Sequence, residues 1–293
     1  MDPTLHLPGP ARARTLAEGL DHPEGVAWSP AERAVYAGGE AGQLYRVSLA
    51  SGAVEIVADV GGLVLGVTLD GLGRVIACVP GIGALVVFDG ARPHRLLSSV
   101  EGRSLVTPNY AAFGKEGSLF FTDSGTWEAH DGRLLVISPD GETSVLSTVL
   151  NRFPNGCAVT DDGRWLWVVE SLGPTVSRFD LRDGGPPELM LRLHGHVPDG
   201  LAFTEDGGVL ISCYRPDRIY HLDTSGALHV VAQDPHGTLL AAPTNVCFVG
   251  QDLDQVVSAN LGRWHLTLLE LGLRGSPLHR PDRWAFDNLT GTT

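Results

Sequence analysis

The strongest constraint on the fold of this chain is a unit of about 45 residues that recurs six times. In the clearest copy, Phe153 to Ser171, an Asp-Asp-Gly turn joins two short apolar runs. Apolar runs joined by Asp-Gly are a strong signal for a β-hairpin. The other five copies repeat this pair of runs, and they begin at His22, Leu63, Thr107, Val197 and Ala242. The chain is therefore predicted to be an array of similar β units.

Each unit continues beyond the hairpin with a third run that alternates apolar and polar residues. These third runs are residues 43–49, 84–89, 133–139, 175–181, 218–223 and 265–271. A fourth run follows in five units, and Arg14 to Leu20 is predicted to supply the run that the sixth unit lacks. Pairing the two chain ends would close the ring and cover a blade edge whose backbone groups would otherwise be unpaired. Four short strands per unit predict an all-β fold, a six-bladed β-propeller with four antiparallel strands per blade.

We expect one propeller domain to span residues 1–293. The predicted blades are roughly residues 21–60, 61–102, 103–150, 151–194, 195–240 and 241–275, and the N-terminal strand at 14–20 completes the last one. The segment from Pro277 onward is expected to lie on the surface.

The charge balance and the cysteines narrow the classes of partner. The sequence has 21 Lys and Arg against 34 Asp and Glu, a net charge of −13. Such a chain offers no positive surface to phosphate backbones or anionic lipids, so neither a nucleic acid nor a membrane is expected as a partner. The four cysteines are too widely spaced for a zinc site or a disulfide scaffold, and the first ten residues lack the features of a signal peptide. We expect buried free cysteines, a cytoplasmic location, a small-molecule substrate, and a monomer or small homo-oligomer.

Aligning the six units places one residue of each at a common position, which follows a proline in five of them. These residues are Glu24, Leu65, Asn109, Asn155, Asp199 and Thr244, with spacings of 41, 44, 46, 44 and 45 residues. The first strand of each propeller blade lines the central channel, so these positions should converge at one mouth of the channel. A Pro-Asn-Gly or Pro-Asp-Gly taken alone is typical of a turn, whereas the common register favours a shared site.

Four of the six aligned residues carry oxygen donors. Glu24 and Asp199 are carboxylates and Asn109 and Asn155 are amides, so the set has a formal charge of −2. Oxygen donors suit a hard divalent cation, with Ca²⁺ or Mg²⁺ favoured and Mn²⁺ or Zn²⁺ possible as adventitious ions. The other two positions leave the coordination sphere incomplete, as a catalytic metal requires for the entry of water and substrate. The sequence therefore predicts one divalent metal ion.

Other polar and aromatic residues are open to two interpretations each. Four residues that end second strands could reach the same mouth, although a structural role in the loops is favoured for most of them. They are Asp123, Glu170, Tyr214 and Asn260. Tyr110 and Trp127 could form an apolar wall over a ligand or serve as rim aromatics. His22 and His196 lie near candidate ligands in the sequence and could line the pocket.

The repeated segments resemble those of the regucalcin/gluconolactonase family, the senescence marker protein-like six-bladed propellers. The resemblance rests on PEGVAW at Pro23, TPNYAAF with FFTDS at Thr107, FPNGCAVTDDG at Phe153 and PDGLAFTEDG at Pro198, and it spans nearly the whole chain. It implies a divalent metal held by Glu24, Asn155 and Asp199, with Asn109 as a ligand or a substrate contact. It also implies hydrolysis of sugar lactones or related esters.

Two positions depart from the family pattern. Members often carry Asp after the residue that matches Asn109 and Arg two residues before it, where this chain has Tyr110 and Thr107. Because that Arg commonly contacts a polar sugar, its absence favours a less polar or bulkier substrate. The predicted substrate contacts are Asn109, Thr107, Tyr110, Trp127 and Asp123.

We therefore predict a metal-dependent lactone hydrolase in which Asp199 acts as general base on water. Two other hypotheses stay open. One is an enzyme repurposed for condensation, as in the strictosidine synthase group, or for phosphotriester hydrolysis. The other is a non-catalytic propeller that binds a metal, a ligand or a partner protein. Fold alone does not decide among them.

Overall fold

The computed structural model describes residues 12–286, which form 26 strands and one short 3-10 helix, Pro80–Ile82. Both ends of the predicted domain, residues 1–11 and 287–293, lie outside the described residues. Six four-stranded antiparallel sheets confirm the predicted all-β, six-bladed propeller. Within residues 12–286, no helix is long and apolar enough to cross a lipid bilayer.

The strands are numbered in chain order, and the first strand of each blade is the innermost one. Blade 1 contains β2 (Val26–Ser29), β3 (Ala34–Gly38), β4 (Gln43–Ser48) and β5 (Val54–Asp59). Blade 2 contains β6 (Val67–Leu69), β7 (Val75–Val79), β8 (Ala84–Phe88) and β9 (Pro93–Leu97), and a small hairpin of β10 (Ser99–Val100) and β11 (Arg103–Ser104) follows it. Blade 3 contains β12 (Pro108–Phe113), β13 (Leu119–Asp123), β14 (Arg133–Ile137) and β15 (Thr143–Ser147).

The second half of the ring repeats this order. Blade 4 contains β16 (Pro154–Val159), β17 (Trp165–Glu170), β18 (Thr175–Asp180) and β19 (Glu188–Arg192). Blade 5 contains β20 (Val197–Phe203), β21 (Val209–Arg215), β22 (Arg218–Leu222) and β23 (Leu228–Gln233). Blade 6 contains β24 (Val246–Val249), β25 (Gln255–Ser258), β26 (His265–Glu270) and, from the other end of the chain, β1 (Arg12–Glu18).

The two ends of the chain close the ring. Strand β1 pairs antiparallel with β26, from Arg12 opposite Glu270 to Glu18 opposite His265. This confirms the predicted closing strand, whose observed bounds begin and end two residues before the predicted 14–20. The pairing satisfies backbone groups of β26 that would otherwise form an open edge.

Apolar side chains are buried mainly between neighbouring blades. Middle strands such as β3 and β8 are buried along their whole length, which explains why their sequences are continuous apolar runs. One cluster joins Trp28 and Val35 of blade 1 to Cys247 and Leu266 of blade 6. All four cysteines are free and buried, as predicted. This packing holds the blades around a central channel.

The channel has two ends that receive different parts of the chain. Its cavity is bounded by residues from all six inner strands, β2, β6, β12, β16, β20 and β24. These strands begin at one end, called here the upper end, and finish at the lower end. The six aligned positions lie at or just before the start of the inner strands, and so they belong to the upper end.

The segment of residues 276–286, called here the tail, crosses the lower end. It bonds to four blades, through Ser276 N to Phe203 O (2.9 Å), His279 Nε2 with Thr160 O (2.9 Å), Arg280 Nη2 to Trp28 O (2.6 Å) and Gly71 N to Pro281 O (2.9 Å). Trp284, Ala285 and Phe286 are at most 5% exposed, so the prediction of a surface segment is wrong for these residues. The reason is apolar burial, since the Trp284 ring packs edge-on against Phe113 with ring centroids 5.0 Å apart.

Candidate metal centre

The structure brings the six aligned positions into a ring at the upper end of the channel. At four junctions, the backbone carbonyl of one position accepts a hydrogen bond from the preceding blade. These bonds run from Gly66 N to Asn109 O (2.6 Å), Thr122 Oγ1 to Asn155 O (2.8 Å), Gly200 N to Thr244 O (2.8 Å) and Thr244 Oγ1 to Glu24 O (2.8 Å). The register read from the sequence therefore corresponds to a spatial alignment.

At the other two junctions, the blades approach so closely that only glycine fits. A Cβ on Gly156 would lie 2.6 Å from Asp199 O, and a Cβ on Gly25 would overlap Leu65 O. The glycine after the aligned residue thus has a packing role in these two blades, because it lets neighbouring inner strands converge at the axis.

Four residues of the ring carry a buried oxygen without a partner. Glu24, Asn109, Asn155 and Asp199 are between 1% and 5% exposed. Among the described residues, no donor reaches Glu24 Oε2, Asn109 Oδ1, Asn155 Oδ1 or Asp199 Oδ1. A buried acceptor left unpaired costs about 1–3 kcal/mol, so four of them in one ring indicate a place built to hold a positive group.

The two carboxylates of the ring are electrostatically coupled. Burial raises the pKa of Glu24, and the nearby charge of Asp199 raises it further. Burial also raises the pKa of Asp199, while a hydrogen bond with the Asn155 side chain lowers it. A divalent cation would offset both the repulsion and the desolvation of this pair. The donor set fits such a cation, because all of its free atoms are oxygens.

Ser171 fixes the orientation of the Asn155 amide, and sequence reasoning missed it. Its hydroxyl donates to Pro198 O at 2.8 Å and accepts from Asn155 Nδ2 at 3.1 Å. Because the single hydroxyl hydrogen is used on Pro198, Ser171 can only accept from the amide, which leaves Asn155 Oδ1 as the free atom. Ser171 also joins the segment of Asn155 to that of Asp199. Its place just after the second strand of blade 4 is the only signal that the sequence offered.

Asp123 supports the segment that leads to Asn109. It is 1% exposed, and its Oδ1 accepts from Val106 N at 3.1 Å and from Thr107 N at 2.8 Å. Its Oδ2 forms an ion pair with Arg133 Nη2 at 2.6 Å. The structure thus gives Asp123 a supporting role through the backbone of Thr107. The predicted substrate contacts of both residues stay predictions.

Glu170 and Asn260 support the corresponding segments of blades 4 and 6. Glu170 Oε1 accepts from Arg152 N at 2.9 Å, and Asn260 Oδ1 accepts from Ala241 N at 2.9 Å. The structural role that the sequence favoured for residues ending the second strands is confirmed for these two and for Asp123.

Tyr110 and Trp127 lie in different places and do not form one wall. Tyr110 lines the channel cavity and packs against Gly66, and burial raises the pKa of its hydroxyl. Trp127 is 51% exposed and packs edge-on against Phe153, with ring centroids 4.7 Å apart. Phe153 has a φ of +60° two residues before Asn155, a conformation that is uncommon outside glycine. Trp127 is therefore a rim aromatic beside the ring, whereas Tyr110 faces the channel interior.

Neither of the two histidines selected from the sequence joins the ring. His22 Nδ1 bonds a backbone carbonyl at 2.8 Å. The His22 imidazole also belongs to a partly exposed cluster with Asp21 and Glu40, whose possible ligand atoms lie within 4.8 Å of one another. His196 Nε2 bonds Tyr220 OH at 2.7 Å. The buried set of oxygen donors is thus separate from both histidines.

Comparison with known sequences decides the family. The family model described as SMP-30/Gluconolactonase/LRE-like region matches residues 23–259, which include all four candidate ligands. The chain belongs to this family. The resemblance read from the sequence motifs is thereby confirmed.

The relatives extend this finding at modest identity. A gluconolactonase of Zymomonas mobilis is 26% identical over 219 residues, which are 65% of this chain and 60% of the relative, so the chain spans about 60% of that protein's length. A gluconolactonase structure from Xanthomonas campestris has a TM-score of 0.76 and 23% identity, covering 90% of this chain and 91% of its own. The calcium-binding protein regucalcin from Agrobacterium tumefaciens has a TM-score of 0.75 and 17% identity, covering 92% and 97%. At these identities, the structural likeness shows a shared fold.

Proposed function

We propose that this protein is a divalent-metal-dependent hydrolase that opens a lactone by attack of water. The observation that carries the proposal is the ring of four buried side-chain oxygens at the upper end of the channel that have no partner within residues 12–286. Family membership and a gluconolactonase relative support a lactone as the substrate class. Regucalcin, which shares this fold, binds calcium and so supports Ca²⁺ as the first choice, with Mg²⁺, Mn²⁺ and Zn²⁺ as alternatives.

Each ring residue has a proposed role. Glu24, Asn155 and Asp199 hold the metal, and Asn109 is a fourth ligand or a contact to the substrate. When bound, a divalent cation supplies a Lewis acid toward the lactone carbonyl. Asp199 acts as general base, and its carboxylate takes the proton of the attacking water. Ser171 keeps the oxygen of the Asn155 amide free for the same centre.

The proposed substrate is a lactone or related ester that is less polar than a sugar lactone. The rim beside Asn155 carries the exposed Trp127 ring and the half-buried Phe153 ring, and such an aromatic pair suits an apolar substituent. Thr107 stands where an Arg would contact a polar sugar in relatives with the common family pattern. Tyr110 would contact only a substrate group that extends into the channel.

Replacing Asp199 by Asn tests the chemistry. Asp199→Asn keeps the side-chain size and removes the base, so we expect turnover to fall by about a hundredfold or more. Proton release from a panel of sugar and alkyl lactones, with calcium present, is the measurement. Asp161→Asn changes an exposed turn aspartate of blade 4 and should keep the wild-type rate. Equal rates in the two variants would contradict the role of Asp199.

The same panel separates the rival functions. Calcium binding without hydrolysis of any lactone would favour a repurposed enzyme or a non-catalytic binding propeller. Hydrolysis of a phosphotriester in product analysis would then favour the repurposed enzyme. If calorimetry detected no binding of a divalent cation to the wild-type protein, the proposed metal centre would be refuted.

A further inference from the structure

A groove opens beside the tail at the lower end of the channel, on the far side from the metal centre. It lies between blades 1 and 6 and has a volume of about 530 Å³, which is in the range of roughly 300–1,000 Å³ common for ligand pockets. Its apolar walls include Leu49 and Leu253 from the blades and Pro277 and Leu278 from the tail. Leu253 and Leu278 also line the channel cavity, so the groove and the channel are neighbouring spaces. This space is called here the lower groove.

The lower groove is positively charged although the chain is acidic. The sequence has 34 Asp and Glu against 21 Lys and Arg. Yet among the described residues, the groove is lined by Arg33 and Arg280 and by no acidic side chain. Within residues 12–286, neither arginine forms an ion pair with an acid. The positive charge of the groove is therefore available to a bound ligand.

Arg280 is the better placed of the two arginines. Its guanidinium is half-buried, and burial lowers its pKa. Within the described part of the chain it donates one side-chain hydrogen bond, from Nη2 to Trp28 O at 2.6 Å, although a guanidinium carries five N–H donors. Trp28 lines the groove too and is 3% exposed, and no acceptor among residues 12–286 reaches its Nε1. The buried Trp28 N–H without an acceptor is costly, and the half-buried Arg280 adds a positive charge to the same groove, so the place favours an anion.

We propose that the lower groove binds a small amphiphilic carboxylate, with the carboxylate on Arg280 and the apolar chain along Leu253, Pro277 and Leu278. The two carboxylate oxygens match the planar fork of a guanidinium. The apolar walls favour a carboxylate with a hydrocarbon chain over a fully polar anion, because the chain leaves water on binding. The site is separate from the metal centre at the opposite end of the channel and does not depend on the proposed hydrolase function.

The experiment titrates octanoate into the full-length protein by isothermal titration calorimetry, with octanol as the neutral probe of the same chain length. Wild-type protein should bind octanoate saturably and octanol more weakly. Arg280→Gln should weaken octanoate binding about tenfold or more, as expected for loss of a charged hydrogen bond. Arg95→Gln removes the same charge from an exposed position on β9 and should leave the affinity unchanged. Equal weakening in both variants, or no saturable binding by wild type, would overturn the proposal.

A second pair of variants keeps the test valid if Arg280→Gln fails to fold. Leu278 is 49% exposed, so Leu278→Glu places a repelling charge in the groove without entering a core, and octanoate binding should be lost. Leu72→Glu, at a 64% exposed leucine outside the groove, should bind like wild type. Octanoate binding should also persist in Asp199→Asn. Loss in that variant would place the carboxylate at the metal centre instead and refute the lower site.

Discussion

The two ends of the central channel are both incompletely satisfied, but with opposite charge. At the upper end, Glu24 and Asp199 belong to a set of buried side-chain oxygens that no donor in the described part of the chain reaches. At the lower end, the Trp28 indole N–H lacks an acceptor among the described residues, and the Arg280 guanidinium donates a single side-chain hydrogen bond within them. The same six inner strands connect the two ends. The difference therefore comes from residues at strand starts and from the tail, and it shows that one repeated scaffold accommodates two unlike sites.

The largest expected effect comes from a variant that weakens the packing of the tail across the lower end of the channel. Trp284 is 3% exposed, packs on Phe113, and donates from Nε1 to Asp70 Oδ2 at 2.9 Å. Trp284→Ala should lower the free energy of unfolding by about 3–5 kcal/mol, measured by urea denaturation. Trp264→Ala, at a 55% exposed tryptophan, should cost under about 1 kcal/mol. If the folded Trp284→Ala protein also lost calcium affinity, the two ends would not be independent.

The next effect concerns the cation at the upper end. Calcium at a hundred times its Kd should stabilise the wild-type protein by about 2.7 kcal/mol, and a chelator should remove that gain. Glu24→Gln should abolish the response without lowering the stability of the calcium-free protein, because it removes a buried charge beside Asp199. Melting temperatures with calcium and with chelator provide the measurement. Glu116→Gln, at an exposed glutamate, should respond like wild type. A full calcium response in Glu24→Gln would argue against this ligand.

A smaller effect tests whether Ser171 orients the metal ligand Asn155 or only links neighbouring blades. Ser171→Ala should weaken calcium binding about tenfold, or about 1.4 kcal/mol, because the Asn155 amide loses the acceptor that fixes it. Ser124 is the matched control, since its hydroxyl donates to Pro154 O at 2.6 Å in the same inter-blade manner. Ser124→Ala should therefore change stability but leave calcium affinity near wild type.

Competition with a calcium-binding dye measures both serine variants. Ser171→Thr keeps a hydroxyl and should restore most of the affinity. Equal losses of affinity in Ser171→Ala and Ser124→Ala would reduce Ser171 to a structural contact.

The smallest expected effect lies at the upper rim and rests on the proposed hydrolase function. Trp127→Ala removes the ring that packs on Phe153. An aromatic contact of this kind is worth about 0.5–1.5 kcal/mol, so KM for an alkyl lactone should rise a few-fold while kcat changes little. KM for gluconolactone should change less, because that substrate presents no apolar chain to the rim. An equal rise in KM for both lactones would mean that the pair does not select apolar substrates.

Much of the fold was predictable because its information is local and periodic. A hairpin such as Cys157–Ala158 pairing with Trp167–Val168 depends on a few residues and one turn. Repetition then placed six such hairpins in register, which also brought Asn155 and Asp199 onto a common ring. Ser171 and the interior position of Tyr110 were not predictable in this way. Their roles depend on which atoms of the next blade lie within hydrogen-bonding or packing distance.

The sequence by itself determined the number of blades, the closing strand and the positions of the four oxygen donors. Each of these follows from the repeat of about 45 residues, which can be identified from the sequence alone. Only the tertiary structure decided which donor atoms are left unpaired and where the tail lies. The tail has no repeat to align with, and its contacts join Ser276 to Phe203 and His279 to Thr160, residues from distant blades. Such long-range contacts depend on the relative positions of the blades in the closed ring and on the burial of Trp284 and Phe286 against blades 2 and 3.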